Sequence, residues 1–160
     1  MPDVMLEDRV ADLLSADAMW ATMRPTLEQL LAAPRAPQRI PKVPGIYLFS
    51  DGERYRYVGQ TRDLSKRLAP HTQPSGTHYG ATLAFIIAKE QAALAGANVR
   101  QRREALQSDT AFVSHFVAAK AQVAGWDIQF IQVDDPNVQT VFEVFVHLVL
   151  HTDLNTFETH

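Results

Sequence analysis

Cysteine is absent from this chain, which excludes disulfide staples, thiolate metal sites and a nucleophilic thiol. No stretch approaches the roughly 20 consecutive apolar residues that a membrane-spanning helix needs. The opening Met1-Pro2-Asp3 is followed by acidic residues rather than the basic patch and apolar run of a secretory leader. Zinc-finger spacings, a helix-turn-helix signature and a basic tail are also missing, so nothing announces sequence-specific nucleic-acid recognition. The expectation is a soluble, cytoplasmic protein. With 160 residues, 46% of them hydrophobic, the chain suffices for one globular unit with an appendage.

What is present is unevenly distributed. The net charge of −3 divides into an acidic start (residues 1–34, 2 basic and 6 acidic), a basic middle (35–110, 12 and 6) and an acidic end (111–160, 1 and 6). A polyanion responds to the local field of the surface it docks on, so the basic middle is compatible with a nucleic-acid partner although the total is negative. Charge alone fits a solvated face equally well.

Apolar residues recur at helical spacing through residues 1–33, with a break at Pro25, which predicts an N-terminal helical extension of two short helices or one kinked one. Four prolines between Pro34 and Pro44 exclude a regular helix and predict an extended linker over 34–44. Beyond it, Gly45-Ile46-Tyr47-Leu48-Phe49-Ser50, the turn signal Asp51-Gly52 and the alternating Arg54–Gly59 predict an antiparallel hairpin. A short helix over 63–68, a loop over 69–80, and helices over about 81–95, 98–107 and 110–124 follow, the stretch 81–124 reading as a helical insertion. Residues 126–133 alternate as a third strand, and Asp134-Asp135-Pro136 opens a last helix running to about Leu150.

The hairpin carries two tyrosines, Tyr47 and Tyr57, that paired strands can bring to one sheet face. Arg67 stands ten residues further on and His71 four beyond it, a spacing that lets both point at one spot. The last helix is apolar around nearly its whole circumference, which predicts burial, and leaves Gln139, Glu143 and His147 as one polar stripe. A carboxylate in that stripe, set beside cations, suits a hard divalent metal.

Taken in order, Gly45-Ile46-Tyr47, Tyr57-Val58-Gly59, Arg67, His71, Glu143 and Asn155 resemble the signature of GIY-YIG nucleases, closely over 43–71 and more loosely over 126–156. That resemblance implies an α+β fold, a small three-stranded antiparallel sheet flanked by helices over 45–160. It implies a divalent-metal-dependent endonuclease that hydrolyses phosphodiester bonds, DNA foremost. Tyr47 then takes a proton from water, Arg67 binds phosphate, Tyr57 and His71 hydrogen-bond around them, and Glu143 holds one Mg2+ or Mn2+ ion. Gly45, Gly59 and Asn155 become structural. The chain departs from the pattern in its extra helical stretch, in its Asp153-Leu154-Asn155 ending, and at Gln60, where some relatives have lysine.

Each residue also has a plainer reading. The tyrosines can be strand aromatics, Arg67 a surface partner of Asp63, His71 a loop histidine, and Trp20 and Trp126 core. Glu143, His147 and His151, at i,i+4 spacing, offer a zinc site as a rival, while His147 alone reads as a support or a solvent-facing residue. A nucleic-acid-binding or regulatory module without turnover is the other rival. The N-terminal helices are free to pack on the core, form a homodimer or hold a partner protein.

Overall fold

The computed structural model describes residues 16–35, 39–72 and 82–157, with the side chains of residues 16, 17, 19, 71 and 72 outside that description. The elements, in chain order, are α1 (Ala16–Ala32), β1 (Gly45–Asp51), β2 (Arg54–Thr61), α2 (Leu64–Thr72), α3 (Thr82–Leu94), α4 (Arg103–Ser108), α5 (Thr110–Ala124), β3 (Asp127–Gln132) and α6 (Pro136–Leu150). The protein is α+β, with three antiparallel strands in the order β2-β1-β3 and six helices among the described residues.

β1 is buried on both faces along Gly45–Ser50, as its unbroken apolar character requires. Its alternation sorts the molecule into two layers. Tyr47 and Phe49 pack with Leu64 and Leu68 of α2 and with α3 and α5. Ile46 and Leu48 point the other way, onto Leu27 and Leu30 of α1 and onto Phe142 and Val146 of α6. Pairing sets Tyr47 opposite Gly59 and Phe49 opposite Tyr57, with the register shift falling between Phe49 and Ser50. Residues 47, 49 and 57 therefore share a face.

Three expectations change in three dimensions. First, α1 is not an appendage: Leu27 and Leu30 are core residues, and the Gln129 amide of β3 donates to the Leu31 and Ala33 carbonyls at the end of the helix. Pro25 lies inside one continuous helix, on its exposed side, where water can satisfy the carbonyl it leaves unpaired. The linker is stitched down as well, with Arg35, Val43 and Pro44 carbonyls accepting from Ile128, Leu64 and Val133 N–H groups.

Second, residues 69–72 continue α2 rather than forming loop, despite Pro70, while 73–80 lie outside the described residues. The helix is started firmly: the Asp63 carboxylate accepts from the Lys66 N–H at 3.0 Å and from the Ser65 hydroxyl at 2.7 Å. The helix expected over 98–107 is confined to Arg103–Ser108.

Third, α6 is not buried all round. It covers one side of a three-stranded sheet with α1 alongside, so Val138, Val141, Val144 and Leu148 (63% exposed) face outward. Trp20, expected in the core, is 42% exposed and packs at a tilt against Phe145, ring centroids 5.7 Å apart. Trp126 is buried, with the Arg56 guanidinium 5.0 Å over its ring. No described helix is long and apolar enough to cross a membrane.

Candidate active site

The phenol of Tyr47 crosses β2 at Gly59. A Cβ on residue 59 would collide with the Tyr47 Cζ and hydroxyl oxygen, so the glycine is the opening through which the side chain passes toward the outer edge of the sheet. Gly45 answers a similar need, since a Cβ there would strike the Ile131 carbonyl oxygen and the Leu64 side chain. These two strand glycines thus serve close packing, whereas Gly52, at φ 62°, serves the turn.

Above that opening, Arg67 Nε donates to the Tyr47 hydroxyl at 2.9 Å. Asp63, the alternative partner, takes only the Arg67 backbone N–H through its own carbonyl. The Tyr57 ring lies 6.2 Å from that of Tyr47, centroid to centroid, and shares the influence of the Arg67 charge. Glu143 comes from the other layer: α6 packs across β2, and the Gln60 amide donates to Glu143 Oε2 at 2.8 Å and to Thr140 Oγ1 at 3.3 Å. Two phenols and a guanidinium thus gather on one face of β2, and the carboxylate lies on its other face, near enough to feel the Arg67 charge.

Their ionisation reflects that company. Burial drives the Tyr47 phenol far above the ordinary value; neighbouring Tyr57 adds to the rise and Arg67 opposes it. Tyr57 is raised by burial too, with Arg67 opposing and Glu143 reinforcing. For Arg67, burial pulls down, but the two phenols outweigh it and push its value up, so the guanidinium stays charged. Burial lifts the Glu143 carboxyl above the usual range, against the Gln60 hydrogen bond and the Arg67 charge. Arg67 is thus close enough to act on all three of the other groups.

No family model, known protein or solved structure matches the chain.

The remaining candidates are distributed as follows. His71 sits on the last turn of α2, and its side chain lies outside the described residues. Asn155 ties the chain end to the sheet: its amide donates to the Val58 carbonyl at 2.7 Å and its oxygen accepts from the Val58 N–H at 2.9 Å. Together with the Leu154 N–H on the Arg56 carbonyl, this covers part of the open edge of β2. His147 directs Nδ1 at the Thr152 hydroxyl and carbonyl, 2.9 and 3.1 Å away, and packs on Phe157. His151 is exposed at the left-handed end of α6. Among the described residues no three carboxylates or imidazoles converge on a common point, so the geometry does not assemble Glu143, His147 and His151 into a zinc site.

Sequence reasoning missed two participants. Gln60 was visible only as a departure from lysine, yet it orients the Glu143 carboxylate. Thr140, three residues before Glu143 and so on the same helix face, could have been flagged by spacing alone.

Proposed function

We propose that this chain is a phosphodiester hydrolase of the GIY-YIG kind, a divalent-metal-dependent endonuclease acting on nucleic acid, DNA foremost. The observation that carries the proposal is the Arg67-to-Tyr47 hydrogen bond at 2.9 Å beside Tyr57, with Glu143 on the other face of β2, near enough to feel the Arg67 charge. These residues are remote in sequence, and each supplies something that the reaction needs.

The chemistry demands a water relieved of its proton and positive charge for the phosphoryl oxygens. Arg67 meets the second demand, because a guanidinium stays charged and its planar fork fits two phosphate oxygens. Tyr47 is the group that accepts the proton, and its bond from Arg67 stabilises the phenolate form against the cost of burial. Tyr57, half-buried next to it, holds water or phosphate within reach of Tyr47. The resemblance gives His71, on the last turn of α2, the role of proton relay.

The donor set fits Mg2+ or Mn2+. Glu143 offers one hard carboxylate, half-buried and held in place by Gln60, which suits an ion that keeps most of its waters. Bound there, such an ion would supply Lewis-acid charge for the leaving oxygen. Burial lifts the Glu143 carboxyl above the usual range, so a bound cation would favour its ionised form.

A second reading, a nucleic-acid-binding module without turnover, is favoured by one observation: Tyr47 is only 1% exposed, and a general base must meet its water. A digestion panel separates the two. Linear, nicked, branched and single-stranded DNA and RNA are incubated with Mg2+ or Mn2+ and wild type, Tyr47→Phe or Glu143→Ala. The proposal expects cutting by wild type alone. If every substrate stays intact with wild type in both metals, the hydrolase reading is lost.

A further inference from the structure

We infer that the cleft on the outer side of Arg67 is a second phosphate subsite, which holds the backbone phosphate next to the reacting one through Arg62 and Lys66. The inference rests on the reading of the site as one that acts on nucleic acid. The cleft measures about 620 Å³ and is lined by Thr61, Arg62, Asp63, Lys66, Arg67 and Pro70. That volume lies within the roughly 300–1,000 Å³ typical of ligand sites. Arg67 belongs to both spaces: its Nε is bonded to Tyr47 while its side chain also walls the cleft. An anion lodged in the cleft is therefore contiguous with one lodged against Tyr47.

Three of the six lining residues are cations, and two have no assigned work. Arg24, Arg35, Arg54 and Arg56 all form ion pairs with carboxylates. Arg62 and Lys66 are exposed, and neither is ion-paired among the described residues. The one acidic lining residue, Asp63, is committed elsewhere. Its carboxylate accepts from the Lys66 N–H and the Ser65 hydroxyl, bonds that hold its pKa below the usual range, with Lys42 adding to the effect. The cleft is thus electropositive, and among the described residues neither cation has a carboxylate partner. Exposed cations of this kind bind polyanions mainly by releasing condensed counterions, so their contribution is read in the salt dependence of affinity.

The test uses the full chain with a fluorescein-labelled DNA duplex in EDTA, so that binding is measured without turnover. Anisotropy titrations over a range of KCl concentrations give the slope of log Kd against log salt for wild type, Arg62→Ala, Lys66→Ala and the double variant. Arg100→Ala removes one exposed charge outside the cleft and serves as the control. Each cleft substitution is expected to reduce the magnitude of the slope by about 1, the double variant by about 2, and equally for duplexes of unrelated sequence. Slopes equal to wild type in both single variants, or an equal fall with Arg100→Ala, would overturn the assignment. Reduced slopes alongside wild-type protein that cuts nothing in Mg2+ leave the subsite standing and remove the hydrolase reading alone. Cutting with unchanged slopes removes the subsite alone.

Discussion

Replacing Gly59 with alanine is the smallest perturbation that reaches both the fold and the site. The added methyl would occupy space now held by the Tyr47 Cζ, hydroxyl and Cε2 atoms. Tyr47 cannot easily yield: its ring meets Phe49 edge-on at 5.9 Å, its hydroxyl is bonded to Arg67, and it is enclosed by the larger core cluster. Two escapes exist. Moving β2 outward strains its double hydrogen bond with Asn155, and moving the phenol breaks the Arg67 bond. Overpacking of this kind costs about 1–3 kcal/mol, and a lost hydrogen bond adds about 1 kcal/mol. At this chain length each kcal/mol lowers Tm by roughly 2–4 °C, so the expected fall is roughly 4–16 °C. Calorimetry and urea unfolding measure it, with Gly125→Ala as control, because a Cβ there meets nothing closer than the Gln122 carbonyl at 3.5 Å. The decisive comparison repeats Gly59→Ala in a Tyr47→Leu background, where the collision is gone and non-additivity above about 1 kcal/mol is expected. If Gly59→Ala unfolds with wild type, or costs the same in both backgrounds, the passage of Tyr47 over Gly59 is not what that glycine serves.

Four further outcomes follow from the same geometry. Because the folded chain holds the Glu143 proton more tightly than the unfolded chain, that group's contribution is complete below the ordinary glutamate value near 4.3 and is lost as pH rises through the raised one. Glu143→Gln should flatten that limb of a Tm-versus-pH curve, and at neutral pH Mg2+ should raise the Tm of wild type but not of the variant. With the Tyr47 value raised, cleavage should increase about tenfold per pH unit across the neutral and mildly alkaline range without reaching a plateau; a flat profile in single-turnover kinetics would remove the phenol as base. Leu30→Ala should cost about 2–5 kcal/mol in urea unfolding, since Leu30 is fully buried against Ile46 and Phe142 rather than carried on a detachable extension. Asn155→Ala should cost about 1–3 kcal/mol and raise hydrogen exchange at the Val58 amide, whose partner it removes.

Much of the architecture was legible because it is local. Alternation, the Asp51-Gly52 turn and the apolar spacing between glycines and prolines located the hairpin, β3, α3, α5 and α6. The residue types at 47, 57, 67 and 143 were legible too, since phenols, a guanidinium and a carboxylate at those places are a chemical inventory that needs no coordinates. Burial of an amphipathic face is a different matter, because it depends on what lies opposite. Periodicity could not tell that α1 would be clamped by Gln129 and filled by Leu27 and Leu30, nor that one side of α6 would be left open.

What the sequence by itself determined is the order of elements and which side chains are available for chemistry, because backbone hydrogen bonding and side-chain alternation act over a few residues. Only the tertiary structure decided that Tyr47 passes over Gly59, that Glu143 arrives from the opposite layer, and that Gln60 and Arg67 meet these two groups at the β2 edge. The reason is physical: a sheet has two faces, and which groups meet around its edge is set by the packing of separate layers, for which the chain carries no local signal.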